Sequence, residues 1–90
     1  MPKPGFGRAG LNLISLEGNP IGDRGADVIA SLIQAPNDAT KGLKMVNLNQ
    51  CKIGNMGFNK LKHALLVRGE LTKSENLTHV GIKVERNLFD

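Results

Sequence analysis

The sequence predicts an α/β chain in which a short strand, a turn and a helix follow one another, and then do so again. Two observations carry this. Laying Leu11 over Leu43 brings "LNLISLEGNPIGDRGADVIASLI" onto "LKMVNLNQCKIGNMGFNKLKHAL", and a third, shorter start follows at "LTHVGIKVE". Within each copy the apolar period lengthens from two residues to nearly four, as it does where a strand gives way to a helix. Units that recur at a fixed interval stack and share one core. The expectation is an α/β solenoid fragment with three short parallel strands and two outer helices.

Taken in order, "MPKPGFGRAG" holds two Pro, three Gly and two basic residues, and reads as a flexible arm over 1–10. A single repeat domain then spans 11–90, with units starting at 11, 43 and 77. "LISL", "MVNL" and "HVGI" alternate inward and outward as short strands should. The helical halves are expected to begin after Asp23 and Asn55, both good N-cap types. Ala26, Ile29, Ala30 and Ile33 form one apolar stripe; Phe58, Leu61, Ala64 and Leu65 form the other. The first helix should stop near Ala35, because Pro36 disfavours helical geometry in the residue before it. The second should stop near Arg68, leaving Gly69 to take the left-handed closing conformation. "NDATKG" and "LTKSEN" read as polar surface connections.

The stretch "IGDRGA" looks like a glycine loop that cradles a phosphate at a helix N-terminus. Both of its glycines recur, however: Gly22 matches Gly54 and Gly25 matches Gly57. A ligand loop has no reason to return at a fixed interval, so this one reads as a repeat corner.

The shared pattern, L-x-x-L-x-L-x-x-N/C-x-I-G-x-x-G, resembles the leucine-rich repeat. Its long helical half and its alternation of Asn19 with Cys51 look like the ribonuclease-inhibitor-like subclass. The resemblance covers residues 11–85 and implies a right-handed solenoid with helices on its outer face. It further implies that Asn19 hydrogen-bonds neighbouring backbone groups and that Cys51 is a small buried hydrophobe. Unit lengths of 32 and then 34 exceed the roughly 20–29 residues usual for such repeats, which implies longer loops after the helices. The end of the chain, "NLTHVGIKV", resembles the closing strand of tropomodulin-type repeat domains through Leu77, Val80, Gly81, Ile82 and Val84. That likeness implies, as an alternative, an actin-filament-end or other cytoskeletal capping role, although the long terminal helix of that family is missing here.

Composition sets bounds on function. Ninety residues make one small domain, and a chain of this length buries only about 60% of its unfolded surface. With three Phe and no Trp or Tyr, aliphatic residues must build the core. Cys51 is the single cysteine, which excludes an internal disulfide. Because "MPKPGFGRAG" holds no apolar leader run, an intracellular location is expected, cytoplasmic or cytoskeletal and not secreted. The sequon Asn76-Leu77-Thr78 would then go unused. No stretch approaches the roughly 18 apolar residues of a membrane span. His63 and His79 have no ligand spacing with Cys51, and no nucleophile–base pair or carboxylate pair falls on one face. The expectation is no cofactor, no metal and no enzymatic activity.

Binding is expected on the strand face, where outward side chains from successive strands line up. Alternation assigns Leu13, Met45 and His79 to one column. Ser15, Asn47 and Gly81 form the next, and Glu17, Asn49 and Lys83 the third. The function expected is a non-catalytic protein–protein interaction module, a short or terminal segment of an intracellular scaffold or multi-subunit assembly. Its partner is a protein or a neighbouring subunit, which would also cover the N-terminal sheet edge; self-association is a further expectation. Charge is uneven: residues 41–73 carry seven Lys or Arg against the single acid Glu70. Lys52, Lys60, Lys62 and Arg68 form a candidate basic patch for an acidic protein or a nucleic acid. Nucleic acid is the less favoured of the two, since no aromatic residues are interleaved for base stacking.

Overall fold

The computed structural model describes residues 12–37, 39–75 and 79–88, the last three residues of the second helix without their side chains. The arm at 1–10, the unit starts Leu11 and Leu77, and the sequon Asn76-Leu77-Thr78 lie outside these residues. Strand β1 is Leu13–Ser15, helix α1 Gly22–Gln34, β2 Met45–Asn47, α2 Asn55–Glu75 and β3 Gly81–Lys83. The strands form one sheet in the order β1-β2-β3, parallel throughout. Parallel neighbours require a long crossover, and α1 and α2 supply it.

Register fixes the unit lengths. Leu13 pairs with Met45, 32 residues on, as the sequence predicts. Met45 pairs with Gly81, a step of 36 rather than 34. The third strand therefore starts at Gly81, and His79 stands outside it, exposed. The extra chain is taken up by α2, which runs to Glu75 instead of stopping near Arg68. A slip of two residues leaves every side chain on the same face of a strand, so alternation in "HVGI" does not distinguish the two registers.

One face of the sheet and both helices enclose an aliphatic core. Ala26, Ile29, Ala30 and Ile33 of α1 meet Leu61 and Ala64 of α2, while Leu43, Val46, Leu48, Cys51 and Ile53 fill the layer beneath. The middle unit is fully buried at its three key positions, Val46, Leu48 and Ile53. Their counterparts Ile14, Leu16 and Ile21 in the first unit are only half-buried, as are Ile82 and Val84 in the third. Among the described residues the middle unit has a neighbour on each side, and each flanking unit has one.

Two charged side chains clamp the helices together, and neither sits where the sequence suggested. Helix α1 begins at Gly22, after Ile21, with no side-chain cap of its own. Asp23 instead reaches across to α2, where its Oδ1 accepts from the N–H groups of Gly54 (2.7 Å) and Gly57 (3.0 Å). A carboxylate there satisfies donors left open in a first turn and complements the positive end of the helix dipole. Gly57 has no side chain because a Cβ would stand 2.6 Å from Asp23 Oδ1 and 2.9 Å from the Ala26 methyl.

Arg68 is the second clamp. It was expected at the surface in the basic patch, but it is 1% exposed. Its guanidinium donates to the carbonyls of Ile33 (3.1 Å), Thr40 (3.1 Å) and Lys41 (2.9 Å), in the last turn of α1 and the loop beyond. A cation placed there opposes the negative end of the α1 dipole, and its planar fork suits three diverging acceptors. Arg68 faces inward because it follows Leu61 and Ala64 on the buried face of the helix, and the helix continues past it, so Gly69 is a mid-helix residue and not a cap. The loop it grips is also more structured than a polar connection implies. Thr40 is buried, and Asn37 Oδ1 accepts from the N–H groups of Ala39 (2.8 Å) and Thr40 (3.1 Å).

Candidate functional site

The sheet face away from the helices carries the residues predicted to bind. Leu13 is 57% exposed and lies beside the half-buried Met45, which in turn lies beside Gly81. Glycine at that point lets the methionine settle: the Met45 methyl is 3.4 Å from where a Cβ on residue 81 would be. The result is a short apolar stripe of Leu13 and Met45 running over bare backbone. His79 is not part of it, a consequence of the 36-residue step.

The second column is Ser15, Asn47 and Lys83. Lys83 thus neighbours Asn47 and does not share a column with Glu17 and Asn49, as the shorter step would have it. Beyond the strands the same alignment gives Glu17, Asn49 and Glu85. Hydrogen bonds tie this region together: Asn47 Nδ2 donates to Glu17 Oε1 (3.0 Å), and Asn47 Oδ1 accepts from the Asn49 N–H (3.0 Å). Asn49 Oδ1 in turn accepts from the Glu85 N–H (2.7 Å). The face is therefore an apolar stripe bordered by a pre-ordered polar row.

The predicted basic patch does not assemble. Arg68 is internal. Lys60 Nζ stands 3.6 Å from Asp27 Oδ1, a half-exposed pair, and Lys62 Nζ lies 5.4 Å from the centre of the Phe58 ring. Lys60 and Asp27 border an open groove of about 320 Å³ between the helices, with Ser31, Gln34, Asn59 and His63 along its walls. Lys52 lies on the turn after β2, in a different depression.

Asn87, which the 34-residue alignment passes over, is a residue of consequence. Its Oδ1 accepts from the N–H groups of Cys51 and Ile53, both at 2.9 Å. Its Nδ2 donates to the carbonyls of Leu48 and Val84, also at 2.9 Å. Asn19, Cys51 and Asn87 hold the same place in successive units, and the 36-residue step would have found the third. Cys51 is buried, with its thiol 3.0 Å from the Leu16 carbonyl. Burial pushes its pKa above the ordinary 9.0, against the smaller opposing effect of backbone hydrogen bonds at Asn19 and Gly18. The group stays a thiol near neutral pH, which makes it a packing residue and a poor nucleophile.

Among the described residues, no group of three or more His, Cys, Asp or Glu is arranged to hold a metal ion. No helix there is long and apolar enough to cross a membrane. No protein-family model, curated protein or solved structure matches the chain.

Proposed function

We propose that the chain is a leucine-rich-repeat solenoid segment of the ribonuclease-inhibitor-like kind, acting inside the cell as a non-catalytic protein-interaction module that binds a protein partner across its strand face. One observation carries this reading. Purely parallel sheets are almost always covered on both faces, yet among the described residues this one has helices on a single face and exposes Leu13 beside Met45 on the other. An apolar stripe bordered by fixed hydrogen-bonding groups has the make-up of an interface core with its polar rim. Methionine suits such a surface because its flexible thioether adapts to the partner's shape.

The N-terminal flank supports the same setting in a scaffold or multi-subunit assembly. Ile14, Leu16 and Ile21 are half-exposed where their counterparts in the next unit are fully buried, and β1 has a strand on one side only among the described residues. A neighbouring subunit that adds a strand to this edge would pair its backbone groups and complete the layer.

Replacing Leu13 and Met45 together by Asp tests the face. Both side chains point away from the core, so the far-ultraviolet circular dichroism spectrum is expected to stay as it is. Co-purification of the native partner from cells expressing the variant is expected to be lost. Undiminished co-purification removes this face as the binding surface.

A further inference from the structure

The turns that follow the three strands share a left-handed backbone. Gly18, Gln50 and Arg86 occupy the same place in successive units, with φ of 82°, 56° and 58°, and Lys52 adds another at 58°. Left-handed backbone is costly for any residue with a Cβ and free for glycine. The first unit uses glycine at this point. The other two use long polar or cationic side chains that the turn itself does not need.

The fold does not use those side chains either. Among the described residues, neither Lys52 nor Arg86 has a hydrogen bond or ion pair through its side chain, and both are exposed. They line one open depression of about 540 Å³ at the strand ends, with Gly18, Gln50, Asn87 and Leu88. Asn87 anchors its wall through the bonds to Cys51, Ile53, Leu48 and Val84. Leu88 is 70% exposed at this site. The nearest acids in sequence do not line it: Glu17 bonds to Asn47 on the strand face, and Glu85 aligns with that same column. Strain kept in one place, on cations with no internal partner among the described residues, points outward to a ligand.

We propose that this depression is a docking site for an acidic segment of a protein partner, with Arg86 and Lys52 each taking a carboxylate and Leu88 an adjacent apolar side chain. Arg86 offers a planar fork that matches a carboxylate, and Lys52 offers a point charge beside it. The space exceeds what a single small anion fills, and an apolar residue among the cations suits a peptide better than inorganic phosphate or a nucleic-acid backbone. The site is separate from the strand face and does not depend on the role proposed for it.

Glycine substitutions provide the test. Lys52→Gly and Arg86→Gly remove the cation and relieve the left-handed strain at once, so the fold is expected to persist with an unchanged or higher melting temperature. A fluorescein-labelled peptide of alternating Glu and Leu is titrated against each variant, with a Gln-for-Glu peptide and a single-stranded oligonucleotide as comparison probes. Each variant is expected to lose about fivefold or more in affinity for the acidic peptide, while the Leu13→Asp, Met45→Asp double variant binds it as before. The proposal is overturned by equal affinity in the glycine variants, by equal binding of the Gln peptide, or by tighter binding of the oligonucleotide. A fall in melting temperature on either glycine substitution also overturns it, because the side chains would then serve the fold.

Discussion

Asn19, Cys51 and Asn87 show how a single position changes character with its neighbours. The second and third of these side chains look back toward the preceding unit. Asn87 finds the backbone of the second unit there and is 7% exposed. Cys51 finds the Leu16 carbonyl of the first. Asn19 belongs to the first described unit, bonds only within its own turn, to Leu16 and Glu17, and is exposed. The middle member has a pH consequence. Its folded pKa is raised above the ordinary 9.0, so below that value both the folded and the unfolded chain keep the proton and stability is undiminished. As pH rises past 9 the unfolded chain ionises first, and stability is lost progressively through the folded pKa. Urea midpoints measured between pH 7 and 10 are expected to drop above about pH 9, and Cys51→Ala is expected to flatten that drop. An identical decline in the Ala variant would assign it to other groups.

At the level of elements, the two helices are joined by charges placed at the correct ends of their dipoles. Asp23 closes the start of α2, and Arg68 closes the end of α1. The arrangement explains why two glycines of the same helix behave oppositely. Gly57→Ala drives a methyl into Asp23 and the Ala26 side chain, displacing the cap, and is expected to cost about 2 kcal/mol in urea unfolding. Gly69→Ala meets nothing within 4 Å and restores helix propensity, so it is expected to stabilise by about 0.5–1 kcal/mol. If Gly69 instead closed the helix in a left-handed conformation, as the sequence suggested, the second substitution would destabilise. The sign of that one measurement separates the two readings. The helix stripes were largely legible from spacing alone: Ala26, Ile29, Ala30, Ile33, Leu61 and Ala64 are all buried. Phe58 and Leu65, read in the same stripe, are only half-buried because they face the side of α2 turned away from α1.

Across the whole molecule, the described residues form a slab 17 Å thin in its shortest direction, with one complete interior unit and two open flanks. A slab of this kind leaves a large share of its aliphatic layer at the edges. Ile14, Leu16 and Ile21 mark one flank; Ile82 and Val84 mark the other, with Leu66 and Leu88 exposed beyond the core. Apolar flanks beside an edge strand drive association. The chain by itself is expected to self-associate, with a melting temperature that rises with concentration and a sedimentation coefficient above that of a monomer. A monodisperse monomer with concentration-independent melting would contradict this.

The three parallel strands, the two helices and the faces of the strand residues were readable in the chain, because each rests on local periodicity. Leu13, Ser15, Met45 and Asn47 fall on the open face as alternation requires. What local patterning lacked was a ruler. The second step is 36 residues and not 34, with α2 running on to Glu75 and Arg68 within it bonded to carbonyls 27 to 35 positions away. Those long-range bonds hold Arg68 inside, and the 36-residue step leaves His79 outside the third strand. Periodicity reports which side a residue faces; only the packed chain decides which neighbour it meets there.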